Sequence, residues 1–101
     1  TSGQTPLHVW AAFSGDASVA ETLLQHRAQV DERDSDGVTP LMISCQMGNH
    51  QSCRTLLSLD ADPNAHDRLN LSAIFIALGC DHPELIHSLL DYEADPHSQW
   101  A

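Results

Sequence analysis

Three stretches of this chain align on one another without gaps: TLLQHRAQVDERD (22–34), TLLSLDADPNAHD (55–67) and SLLDYEADPHSQW (88–100). Leu23-Leu24, Leu56-Leu57 and Leu89-Leu90 step by 33 residues each time, and so do Ala28, Ala61 and Ala94. No other feature constrains the fold as tightly. One such unit cannot bury its own apolar face, so the units must stack into a solenoid with a core running through all of them. The chain therefore divides into units 1–33, 34–66 and 67–99 of one domain spanning 1–101.

Within a unit the spacing predicts helix, tight turn, helix and long connector. Gly3-Gln4-Thr5-Pro6-Leu7 matches Gly37-Val38-Thr39-Pro40-Leu41. The threonine can cap the first helix, and proline suits its first position, where a missing N–H costs nothing. That helix ends near Gly15 or Gly48. The second helix carries apolar residues at i, i+3 and i+4, as in Cys53, Leu56 and Leu57, or Leu85, Ile86, Leu89 and Leu90. A polar stretch rich in Asp, Asn and Pro follows, suited to a turn and a projecting hairpin.

At these residues the chain resembles the ankyrin repeat family. GQTPLHVWAAFSGD is close to that family's first-helix signature, and LLSLDADPNAHD resembles its second-helix end and finger. The resemblance covers residues 3–99 and is weakest in the third unit. It implies an all-α ankyrin-repeat solenoid of helix–turn–helix units with hairpin fingers. It implies a protein–protein interaction module and no catalysis, with an intramolecular docking domain or a passive spacer as alternatives. The family's fingers and first-helix surface line a concave groove. Carried onto this chain, those positions are Gln4, Phe13, Ser14, Arg33, Ser35, Asp36, Val38, Gln46, Met47, His66, Arg68, Leu69, Leu71 and Cys80. For His8 the resemblance implies a structural hydrogen bond back toward Thr5.

Departures from the pattern carry their own expectations. In the third unit Ser72 stands where a capping threonine is expected and can still cap the helix, and Asp81 replaces Gly48. Arg27, Asp60 and Glu93 replace the glycine usual after the second helix, at a cost of up to about 1 kcal/mol each where φ is positive. The first unit has one extra residue, since Thr5 to Thr39 is 34 but Gly15 to Gly48 is 33. Setting Trp10 on a small-residue core position would overpack it by about 1–3 kcal/mol. A bulge between Leu7 and Ala11 is therefore expected, with Trp10 as a further partner-contact residue. Neither end carries a polar cap, which suggests a piece of a longer protein.

Composition narrows the function classes. Fourteen acids against four bases give a formal charge of −10, unsuited to a nucleic-acid backbone. That charge suits a partner with a basic segment, or it serves solubility. Three cysteines cannot all pair within one chain, and they sit among apolar residues as small hydrophobes would in a reducing compartment. Cys45 is matched with Ala12, and Cys53 with Ala20. This usage, with no secretory signal, points to an intracellular chain, cytoplasmic or nuclear. No apolar run approaches the roughly 20 residues a membrane span needs. Cys45, His50 and Cys53 lack the paired C-x2-C spacing of structural zinc sites, and no glycine-rich loop offers oxyanion donors. No cofactor or metal is expected.

Overall fold

The computed structural model describes residues 3–92, and within them the chain forms six helices and no strand. These are α1 (Pro6–Phe13), α2 (Ala17–Gln25), α3 (Pro40–Met47), α4 (His50–Ser58), α5 (Ala73–Gly79) and α6 (Pro83–Asp91). Each odd helix pairs with the even helix after it. Successive pairs stack, α3 lying between α1 and α5, and α4 between α2 and α6. The shared core runs along the stack through Leu7, Leu41, Leu56, Leu85 and Leu89, all fully buried.

Local chemistry sets the helix ends. Thr5 and Thr39 cap α1 and α3 through their hydroxyls, with Pro6 and Pro40 at the first positions. Asp16 caps α2, and the Ser18 hydroxyl and backbone N–H hold its carboxylate below the ordinary range. The other end repeats a single device. Ala28 N–H donates to Leu23 O and Arg27 N–H to Leu24 O, with Arg27 at φ 74°. The same bonds recur around Gly48, Asp60 and Asp81, all left-handed. Each such pair satisfies carbonyls that the helix leaves open. Glu93, the third-unit counterpart of Arg27 and Asp60, lies outside the described residues, as do Ala94 and Trp100.

Two expectations are corrected. Ser72 holds the cap position of α5 with extended backbone but makes no side-chain cap bond, and its buried Oγ is unpaired among the described residues. The third unit therefore starts its helix without the bond that Thr5 and Thr39 supply.

The second correction concerns the extra residue. No bulge interrupts α1, which is as long as α3 and keeps its register from Pro6 to Phe13. The insertion is Ser14, which caps the C-terminus of α1 before Gly15 (φ 94°). Trp10 then sits on the small-residue position that Ser44 occupies in the next unit, and it is 4% exposed. Ala11, rather than Ala12, is the counterpart of Cys45. The overpacking cost is relieved because the turn is one residue longer. The indole reaches across it, and Trp10 Nε1–H donates to Asp16 O at 2.9 Å.

Trp10 and Ser14 should therefore be energetically coupled. Deleting Ser14 alone is expected to cost about 1–3 kcal/mol by closing the turn on the indole. Deletion together with Trp10→Ser should cost less than the sum of the two single changes, by about 0.5–3 kcal/mol. Urea melts of the four proteins measure this coupling, and strict additivity would refute the account.

Candidate protein-binding surface

The fingers precede the odd helices. In the first complete finger Asp34 N–H donates to Val38 O, and the Asp34 carboxylate accepts from the N–H groups of Asp36 and Val38. Asp67 does the same for Leu69 and Leu71. These two acids are thus engaged in shaping the turns. The fingers also hold each other: Arg68 N–H donates to Asp36 O and Arg68 Nη1 to Ser35 O, both at 3.0 Å.

At the far end of the odd helices the turns interlock as well. Asn49 Nδ2 donates to Ala11 O, and Thr55 Oγ1 donates to Gly15 O. The His82 ring packs on Gly48 so closely that an added Cβ would lie 2.7 Å from Cε1. Contacts between like ends show that α1, α3 and α5 run in the same direction. Phe13, Met47 and Cys80 therefore form a row at their C-terminal ends, and all three are exposed.

Phe13 is 78% exposed and Met47 54%. Leu69 (78%) and Leu71 lie on the second finger, at the opposite end of the helices. An eight-residue helix is about 12 Å long, so the four side chains form two apolar clusters rather than one strip. Between and beside them lie exposed Gln4, Gln46, Arg33, Ser35, Asp36 and Arg68.

Two positions depart from the sequence reading. Trp10 is buried between its helices and offers no surface to a partner. Val38 is also buried, because its carbonyl faces the first unit and accepts from His8 Nε2. Ser14 is exposed, but its hydroxyl accepts from Asp16 N–H inside the lengthened turn. His66 is half-buried, with Nε2 buried and unpaired among the described residues. Sequence reasoning gave no sign of the bond from His8 to Val38, since only the fold brings the two together.

Cys45 and Cys53 are buried between α3 and α4. The hydrogen bond with Cys53, and then burial, push the Cys45 thiol well above its ordinary range, so it stays protonated. Among the described residues no three His, Cys, Asp or Glu side chains converge as a metal ion requires. No described helix is long and apolar enough to cross a membrane.

A family model described as ankyrin repeats (3 copies) matches residues 1–67. The chain is 43% identical over 75 residues to the Caenorhabditis elegans ankyrin repeat and LEM domain-containing protein 1 homolog, covering 72% of this chain and 11% of that protein. A putative ankyrin repeat-containing protein of Treponema pallidum is 33% identical over 94 residues, 92% of this chain and 32% of that protein. The human neurogenic locus notch homolog protein 1 is 35% identical over 99 residues, 96% of this chain and 4% of that protein. The chain thus spans a third or less of the length of each of these relatives.

Proposed function

This chain belongs to the ankyrin-repeat family, whose repeats are in general protein–protein interaction modules, and we propose that it binds a partner protein through its fingers and odd-helix ends. The supporting observation is that Phe13 and Met47 recur at equivalent helix-end positions with most of their apolar surface in water. Apolar anchors ringed by polar side chains are the usual arrangement of a binding hot spot. Leu69 and Leu71 supply a second anchor about one helix length away. A partner with two apolar groups at that separation fits both. The charge of −10 favours a partner segment that is basic between them. The three repeats, 1–33, 34–66 and 67–99, act as one array within a longer intracellular protein, cytoplasmic or nuclear.

The test begins with partners captured on the immobilised chain and identified. Each one's affinity is then measured against the wild type, Phe13→Ala and Met47→Ala. Each truncation should weaken binding by about 1–3 kcal/mol, with melting temperature nearly unchanged because the side chains are exposed. Equal affinity of all three proteins would place the interface elsewhere.

A further inference from the structure

We infer that Arg68 is a positioning residue: it clasps the third unit's finger to the second's and so holds Leu69 where a partner meets it. The partner in this statement rests on the proposed binding through the fingers; the clasp itself rests on geometry alone.

Arg68 grips three consecutive residues of the neighbouring finger. Its Nη1 donates to Ser35 O and its backbone N–H to Asp36 O, both at 3.0 Å. Its stem lies against Gly37, where an added Cβ would be 3.3 Å from Arg68 Cγ and 3.1 Å from Arg68 N. Each finger's own turn is shaped from within. The Asp34 carboxylate holds the N–H groups of Asp36 and Val38, and the Asp67 carboxylate those of Leu69 and Leu71. Those bonds set the form of each turn, and the bonds from Arg68 join one turn to the other. Ser35 holds the same repeat position in the second unit, so the arginine clasp belongs to this junction and not to the general repeat pattern.

Leu69 follows Arg68 directly and projects into water. An anchor on a loose loop must be ordered when a partner binds, and that ordering subtracts from affinity. An anchor already held in place avoids this cost. Arg68 thus strengthens binding through Leu69, with no contact of its own to the partner.

Amide hydrogen exchange of the free chain tests the clasp, and binding tests its use. In Arg68→Ala, exchange at residues 68–71 and at Asp36 and Gly37 should quicken about 2- to 10-fold, as for a lost hydrogen bond. The amides of α3 should not change, which separates a loosened finger from a destabilised fold. Arg68→Lys keeps the stem and a donor and should recover most of the protection. Affinity is then measured for the partner identified by capture on the wild-type chain. Arg68→Ala should weaken it about 2- to 10-fold, and should add nothing once Leu69 is alanine, because no anchor is left to position. In the Met47→Ala background, one helix length away, the loss should persist in full. Unchanged exchange at the fingers overturns the clasp. An equal loss with and without Leu69 overturns the positioning role, since Arg68 then touches the partner itself. Quickened exchange with an affinity indifferent to Leu69→Ala would show that binding through the fingers has failed, and the positioning role with it.

Discussion

Leu57→Ala is expected to destabilise the chain by about 2–5 kcal/mol, the range for deleting a buried leucine side chain. Leu57 sits on α4, which packs against α6 of the following unit, and is 3% exposed. A domain of this size has about 5–15 kcal/mol of total stability, so the change removes a large share of it. In a stack the loss also strikes twice, because the middle unit carries both junctions. Leu90 provides an internal control, as the same residue at the same repeat position with 47% of its surface in water. In dilute solution Leu90→Ala should cost well under half as much, since transfer free energy scales with the area removed from water. Denaturant melts of the two variants decide the matter. Equal losses would mean that repeat position, and not coverage by the next unit, sets the energetics.

That contrast shows what was legible in the sequence. The 33-residue step assigned Leu24, Leu57 and Leu90 to one structural position, and six helices follow the expected order. Helix ends were readable because Thr-Pro and left-handed residues act locally, as the shared hydrogen bonds around Arg27, Gly48, Asp60 and Asp81 show. Two things depended on three dimensions. The insertion in the first unit has the same arithmetic whether it lies before Ala11 or after Phe13. A volume argument at fixed turn length chose the first, while the structure lengthens the turn and seats the indole there. Finger positions were also read as surface without distinction. Val38 points its carbonyl into the neighbouring unit and is buried, whereas Leu69, two positions earlier in the finger sequence of the next unit than Leu71, projects into water. Likewise, the separation of Phe13 and Met47 from Leu69 and Leu71 came only from knowing that the odd helices run the same way.

His8→Ala is expected to cost about 3–5 kcal/mol, more than an ordinary buried histidine would suggest. His8 is fully buried at the third position of α1, and both ring nitrogens are engaged. Nδ1 accepts from Thr5 N–H at 3.1 Å, which completes the capping box of the helix. That role fixes the tautomer, so Nε2 carries the proton and donates to Val38 O at 2.6 Å. One ring therefore ties the helix start to the finger of the next unit. Its removal strands the Thr5 backbone donor, about 1–3 kcal/mol when buried without a partner, takes one of two donors from Val38 O, which keeps the bond from Asp34 N–H, and leaves a cavity as well. Met42 and Phe75 fill this position in the later units, so no second copy of the bridge compensates. His8→Asn separates the two roles, because its side-chain oxygen reproduces Nδ1 but cannot reach Val38. It should retain the cap and lose about half of what alanine loses. Chemical denaturation of wild type, His8→Asn and His8→Ala measures the series. A loss below about 1 kcal/mol for alanine would show that the bridge between Thr5 and Val38 contributes nothing beyond the packing of the ring.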